Sequence, residues 1–522
     1  METIPLLFKD AVARSGARLA LIEPLDGDEI SSLTFRGLQE RVFAFAAYLL
    51  EQNLVKGERI MIWSASRSNW MIAFLGSLLA GMVVVPLDIN SKEDFLQRLA
   101  VTTEAKFLVT TQKQYQSLHK PSFTLLDIDA LPQSTLDESK LPEITPDDLA
   151  ELVFTSGTTG QPKGVMLSHR NITSNATAAL KVIDVRPQDR ALSILPLSHM
   201  FEMTIEIALL SAGACIVYAR SLSPDTLLKL FSSQHITCMV LVPQALQLFM
   251  HSIEREVRRQ KREKQWALLH RIAARLPFGM RHYLFGTVFK RFGDHFRFFV
   301  SGGAYLPPQL GSFWEEMGFR VIQGYGATEC APIITANPMH DHNLLSVGKP
   351  LPGVEVQIAA DSEILVSGPN VAPGYWKNPE MTDLSFRSGW YYTGDLGHID
   401  AHGNLYLKGR KKNLIVLANG MNVYPEDIEN ILQRSPDIKD AVIIGLAEGT
   451  SGPDVHAILL MENPEKAKIL IQQTNKQLAS HQQIKGFTIW PEQDFPRTHT
   501  LKVKRQEILT DLPKIRQQKK EG

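Results

Sequence analysis

The chain has 522 residues, more than a single hydrophobic core usually spans, so two or more folding units are expected. Hydrophobic residues make up 44% and charged ones 21%, and 55 Lys and Arg balance 55 Asp and Glu, which excludes a global field drawing the protein to nucleic acid or to anionic lipid. Cys215, Cys238 and Cys330 show no CxxC spacing, which argues against a disulfide framework or a thiolate metal site and for a reducing, cytoplasmic interior.

In chain order, METIPLLFKDAVARSGAR lacks the cationic start, apolar core and small-residue cleavage site of a secretory signal. An amphipathic pattern runs from Phe8 to Leu50, with a short strand signal at Ser32–Phe35 and a helix over Arg36–Glu51; Arg59–Trp63 reads as a compact strand. The 18-residue apolar run WMIAFLGSLLAGMVVVPL just reaches membrane-spanning length. Gly81 divides it into a helix-like half and a β-branched half closed by Pro86 and Asp88, so a buried helix passing into a buried strand is expected instead. Alternation of strands and helices continues past AKFLV (Ala105–Val109), as in a layered α/β domain with parallel strands.

After a surface-like stretch over Gln112–Asp148 comes LVFTSGTTGQPKGVMLSH, Leu152 to His169. An apolar strand end delivers Thr155, Ser156, Gly157, Thr158, Thr159, Gly160 and Lys163 to one turn. Glycines let backbone amides approach an anion, hydroxyls add donors and Lys163 adds charge, so the turn suits a polyphosphate. Lys163 is followed by Gly164 rather than Ser or Thr, so this is not a Walker A loop.

A helix from His169 and a strand over Arg190–Leu195 lead to LPLSHMFE, which brings His199 and Phe201 to a rim suited to lining a substrate pocket. His199 has no carboxylate in its local sequence, so it reads as a wall or gate residue, or as a satisfied half-buried histidine. Residues 254–299 are the most cationic stretch. As an amphipathic basic helix it suits an anionic membrane or an acidic carrier, and equally a solvated face packed on the core; no nucleic-acid module surrounds it. Further on, FFVSGGAYL and the strand leading to GYGATEC place Gly303, Ala304, Gln323 and Gly324 at adjacent strand ends. There Tyr325 offers a face for adenine, and Thr328 and Glu329 set a hydroxyl beside a carboxylate where phosphate and Mg²⁺ would meet.

Short turn-rich strands from Ser346 to Tyr406 suggest a small twisted or barrel-like β unit. In TGDLG, Asp395 can accept both hydroxyls of a ribose, and Arg410 can add a donor. The remainder alternates strands and helices through Trp490, an α+β module, and the boundary is placed at Gly409–Asn413, giving domains 1–409 and 410–522.

The run Thr-Ser-Gly-Thr-Thr-Gly-x-Pro-Lys-Gly resembles the phosphate loop of the adenylate-forming enzymes, the superfamily of acyl-CoA synthetases, peptide-synthetase adenylation domains and luciferases. YGATE, TGDLG with GRKKN, and the terminal TLKVKR are similar to that superfamily's other motifs, in its order, and LPLxHxFE with TxTxKxKR looks like the long-chain fatty acid–CoA ligase branch. The resemblance implies ATP, Mg²⁺ and CoA as reactants, with Thr155 joining Glu329 on the metal and with Asp395 and Arg410 as a ribose-binding pair. It also implies Lys502 entering the active site from a mobile C-terminal domain, Lys412 as that domain's hinge and Gly420 beside the pantetheine arm. Leu501 and His499 depart from the commoner superfamily spelling of Gly and Pro. An acyl-carrier protein as acceptor, a homodimer and a peripheral contact at the inner face of a membrane remain open beside a non-catalytic lipid-binding scaffold.

Overall fold

Residues 2–521 are described by a computed structural model, apart from 26–28, 120, 122, 156–161, 222, 342, 436, 448–452 and 498–502. The chain divides into two compact units. One comprises 1–356 with 366–391, the other 357–365 with 392–522.

The first unit is built on two sheets. A nine-stranded sheet runs in the order Lys349–Pro350, Ile333–Ala336, Arg320–Gly326, Phe298–Ser301, Cys238–Leu241, Arg190–Ser193, Cys215–Tyr218, Leu19–Pro24, Ile30–Thr34. Its central strands are parallel and buried along their length, which is why they read as short runs such as FFVS and CIVY rather than as alternating patterns. A six-stranded sheet, Thr124–Asp127, Phe107–Thr110, Arg59–Trp63, Val83–Leu87, Leu149–Thr155, Lys163–Ser168, is parallel except for its last pair. The apolar run after Asn69 is the expected helix and strand, Ser68–Leu79 and Val83–Leu87. Among the described residues no helix is long and apolar enough to cross a membrane.

The cationic stretch is not one helix. It follows the end of Pro243–Arg259 with Glu263–Ala273, Phe278–Leu284 and Gly286–Phe292. Lys261 at positive φ and Pro277 interrupt it. Its inward side chains Phe285, Val288 and Phe292 join Phe231, Phe296, Phe299, Trp314 and Phe319 in an aromatic core. Outward it exposes Leu268, Ile272, Met280 and Tyr283 among its cations.

The strands between Glu355 and Arg410 form an open five-stranded order, with no closed barrel among the described residues. In the second unit, Ile438–Ala447, Pro453–Met461 and Gly486–Ile489 form a three-stranded sheet. Ile415, Val423, Ile428, Leu432, Ile443 and Leu459 contribute to its core. The predicted helix over Glu465–Ser480 is shorter, Ala467–Asn475, flanked by 3₁₀ turns.

Candidate active site

In the first unit the antiparallel hairpin Leu149–Thr155 and Lys163–Ser168 brackets the glycine-rich turn, with Thr155 opposite Lys163. Ser156, Gly157, Thr158, Thr159 and Gly160 lie outside the described residues. The outgoing strand ends in a capping box: the Ser168 hydroxyl accepts from the Asn171 amide, and the Asn171 side chain accepts from that of Ser168.

A segment about 210 residues downstream closes over this strand. Trp376 N–H donates to Gly164 O at 2.7 Å, and Met166 N–H to Gly374 O at 3.1 Å. Tyr375 forms a bridge with Val165. Gly164 has to be glycine here, since a Cβ would lie 2.9 Å from the Phe154 ring and 3.3 Å from Trp376. The same segment reaches the motif Tyr325-Gly-Ala-Thr-Glu329. Ala372 N–H donates to Glu329 O at 2.8 Å and Asn370 Nδ2 to Cys330 O at 2.8 Å. Tyr375 OH donates to Glu329 Oε1 at 2.9 Å. The Lys163 ammonium stands over the Tyr375 ring, 5.2 Å from its centroid. Burial, and then the neighbouring Glu329 charge, push the Tyr375 phenol upward, so it stays a hydrogen-bond donor to that carboxylate.

Glu329 and Thr328 sit in a single 3₁₀ turn, Thr328–Cys330, at the end of strand Arg320–Gly326. That strand pairs with Phe298–Ser301 so that Gln323 is opposite Ser301, which sets Gly303 and Ala304 beside Gly324 and Tyr325 as neighbouring strand ends. Gly303 takes φ +76°, and Gly326 approaches Pro332 O so closely that a Cβ would be 2.0 Å from it. Phe201 points the tip of its ring at the same turn: a Cβ on Gly302 would be 2.7 Å from Cζ. His199 lies near a carboxylate after all, with Nε2 3.9 Å from Asp88 Oδ2, a partner 111 residues upstream.

Among the described residues no three His, Cys, Asp or Glu side chains gather into a metal-holding group. The donors at hand are the Glu329 carboxylate and the Thr155 and Thr328 hydroxyls. Such hard oxygen donors fit Mg²⁺, which takes one or two carboxylates and fills its octahedron with water and phosphate oxygens.

In the second unit Asp395 and Arg410 are opposite each other on antiparallel strands, with Arg410 Nε 3.0 Å from Asp395 Oδ1. The Asp395 amide donates to Thr393 Oγ1 at 3.0 Å. Lys411 Nζ donates to Asp361 and Glu363 at 2.6 and 2.9 Å, anchoring the 3₁₀ turn that contains Lys412. Gly420 takes φ +78° with open space around it. Lys502 lies outside the described residues, as do His499 and Leu501. Tyr375, Gly302 and Asp88 are the contributors that the sequence reading missed. Only GYW at 374–376, a turn glycine before two aromatics, could have pointed to the first.

Two family models match: AMP-binding enzyme over residues 8–376, and AMP-binding enzyme C-terminal domain over 412–515. The long-chain-fatty-acid–CoA ligase of Escherichia coli O6:H1 is 26% identical, the alignment covering 96% of this chain and 93% of that protein. Its namesake from Bacillus subtilis is also 26% identical, covering 92% and 90%. Among solved structures, Bacillus subtilis o-succinylbenzoate CoA synthetase in complex with its acyl-adenylate intermediate superposes with TM-score 0.80 at 26% identity, covering 97% of this chain and 98% of that one. ATP-bound MatB from Rhodopseudomonas palustris gives TM-score 0.80 at 25% identity and the same coverage. With one family model spanning more than two thirds of its residues, the chain belongs to the AMP-binding enzyme family.

Proposed function

We propose that this protein is an AMP-forming acid–thiol ligase that activates a long-chain fatty acid as its acyl-adenylate and passes the acyl group to the thiol of CoA. The observation that carries the reading is Tyr375, which ties Lys163, at the exit of the glycine-rich turn, to Glu329, at the end of a parallel strand. A cation and a carboxylate held on one side chain suit the phosphates and metal of ATP. Support for the acid and the thiol comes from relatives named long-chain-fatty-acid–CoA ligase, and for ATP and magnesium from Bacillus subtilis o-succinylbenzoate CoA synthetase in complex with both.

A free carboxylate is a poor acyl donor because its oxygen is a very bad leaving group. In the first step a carboxylate oxygen bonds to the α-phosphorus of ATP, the bond to the bridging oxygen breaks, and pyrophosphate departs. In the second, a thiolate attacks the acyl carbon and AMP leaves with the former carboxylate oxygen. Mg²⁺ held at Glu329, with Thr155 and Thr328, would neutralise phosphate charge. Lys163 and the turn Thr155–Gly160 cradle the β- and γ-phosphates, and Lys502 bridges the attacking carboxylate and the α-phosphate. Tyr325 stacks on adenine among Gly303, Ala304, Gln323 and Gly324, while Asp395 and Arg410 take the ribose. His199 and Phe201 gate the acyl chain. The working domains are 1–409 and 410–522, with Lys412 as hinge between the two steps and Gly420 passing the pantetheine arm.

The reaction belongs in the cytoplasm. Exposed Leu268, Ile272, Met280 and Tyr283, interleaved with Arg271 and Arg275, favour a peripheral contact of residues 254–299 with an anionic bilayer, where the acid partitions. The cations from Arg255 to Lys264 favour an acyl-carrier protein as a second acceptor. The test is pyrophosphate release across a panel of fatty acids, followed by the second step with CoA or with carrier protein and the product weighed by mass spectrometry. Acyl-CoA as the main product supports the reading. Acyl-carrier protein alone as product shifts the acceptor, and no pyrophosphate with any acid removes it.

A further inference from the structure

The segment Pro369–Trp376 touches two regions that lie far apart in sequence, residues 164–171 and the turn that carries Glu329. Asn171, in the capping box at the start of helix His169–Leu180, donates from Nδ2 to Pro369 O and Val371 O at 2.8 and 2.9 Å. Asn370 and Ala372 bond to the turn carrying Glu329, and Gly374 and Trp376 to the strand leaving the glycine-rich turn. The strap is itself fixed: Tyr375 N–H donates to Thr382 Oγ1 at 2.9 Å, and the Tyr375 ring meets Phe386 edge-on at 5.5 Å. Gly374 takes φ +151° with its Cα against the Thr382 side chain, where a Cβ would sit 2.5 Å from Cγ2. Within the strap, the Tyr375 side chain contacts both Lys163 and the Glu329 carboxylate.

We infer that Tyr375 is a positioning residue for the divalent cation and the phosphates it accompanies, a role that rests on the reading of Glu329 as a metal ligand. A glutamate has two oxygens and several rotamers, and Mg²⁺ tolerates little departure from octahedral geometry. The phenol occupies Oε1, which fixes the carboxylate plane and would leave Oε2 for a cation. Hydrogen bonds to a ligand from a neighbouring donor set its orientation, and their loss commonly weakens metal affinity by about tenfold or more. The ring's other contact, with Lys163, keeps the ammonium at a set distance from Glu329 rather than paired with it. A direct Lys163–Glu329 ion pair would cancel the two charges that the metal and the phosphates need separately. Tyr375 thus acts as a spacer as well as a donor.

The experiment uses the full chain and titration calorimetry with three probes: ATP with MgCl₂, ATP with EDTA, and AMP. Tyr375→Phe keeps the ring and removes the hydroxyl. Its expected effect is a loss of about tenfold in affinity for ATP with magnesium, the size of a hydrogen bond to a charged group, with AMP affinity unchanged within twofold. Raising MgCl₂ should restore adenylation, because the weakened step is cation capture. Equal loss for AMP and for magnesium-ATP, or no shift in magnesium dependence, overturns the inference. Tyr375→Leu, which also removes the ring, should weaken ATP binding in EDTA as well, since Lys163 loses its spacer; unchanged binding there overturns the spacer role. Glu329→Gln separates this inference from the reading beneath it. If that variant keeps its magnesium dependence, Glu329 is not the metal ligand and the reading fails; if it loses that dependence while Tyr375→Phe does not, only the role of Tyr375 fails.

Discussion

At the strand ends of the first unit, Glu329 is half-buried, accepts a hydrogen bond from Tyr375 and faces a neighbourhood that includes Lys163. In the interior of the six-stranded sheet, Glu151 lies between Val84 and Leu167 in the ladder, fully buried, and neither carboxyl oxygen has a hydrogen-bond partner among the described residues. Burial pushes the Glu151 carboxyl up to about 8, so at neutral pH it is held as the acid. One glutamate has a hydrogen-bond donor at its carboxylate, while the other has none among the described residues. Partners, more than burial, decide which carboxyl is available for chemistry. The pair Glu202 and Glu206, among the buried side chains of helix Met200–Ser211, is a third case. Both are buried, Tyr218 OH donates to Glu206 at 2.8 Å, and burial raises both acids, Glu206 to about 7.

The contrast is broken most strongly at the reacting centre. Glu329→Gln should lower fatty-acid-dependent pyrophosphate release by about a hundredfold or more, the scale of losing one main charge stabiliser, whereas Glu151→Gln should leave it within about twofold. Stopped-flow or coupled pyrophosphate assays check both. Lys502→Ala should cost adenylation a similar factor while sparing thioester formation from supplied acyl-adenylate, and Lys412→Pro should reverse that pattern. Parallel loss of both half-reactions in either variant would contradict the separate roles.

A smaller effect concerns stability. The Glu151 carboxyl is raised from 4.5 to about 8 in the folded state, so the folded chain binds more protons between those values and stability falls as pH rises through that window. His169, lowered by burial to about 4 from 6.5, works in the opposite sense: stability rises with pH from about 4 to 6.5. The two slopes oppose each other at acid pH, and only the carboxyl remains between 6.5 and 8. Glu151→Gln should therefore flatten the wild-type decline over that upper range by up to about 1.4 kcal/mol per pH unit, read by denaturant unfolding. Glu202, Glu206 and Glu429, all raised by burial, keep their own shares of the slope. An unchanged slope would mean that Glu151 is ionised in the folded state.

The smallest change is expected at Gly420, where φ +78° is strained for any other residue but the surroundings are open. Gly420→Ala should cost about 1 kcal/mol locally and slow the thiol step several-fold without touching adenylation.

Much of this was legible in the residues themselves. Ordered motifs from Thr155 to Arg410 pointed to candidate nucleotide-binding elements because small residues and hydroxyls at strand ends have few other uses, and the buried runs gave the parallel sheets. Tyr375 was not legible: its hydroxyl reaches a carboxylate 46 residues away through a strap whose local pattern reads only as turns. Asp88 beside His199 was hidden for the same reason, since a contact across 111 residues leaves no spacing to read. The stretch 254–299 looked like one basic helix because its cations dominate the composition, yet Phe285 and Phe292 turn inward, and Lys261 and Pro277 break it into pieces.

The most direct test of the adenylate route follows oxygen rather than rate. With a fatty acid labelled with ¹⁸O in its carboxylate, mass spectrometry of the AMP formed alongside acyl-CoA should find one labelled oxygen on the phosphorus. AMP free of label would show that no bond ever formed between the carboxylate and the α-phosphate, and the proposed chemistry would have to be abandoned.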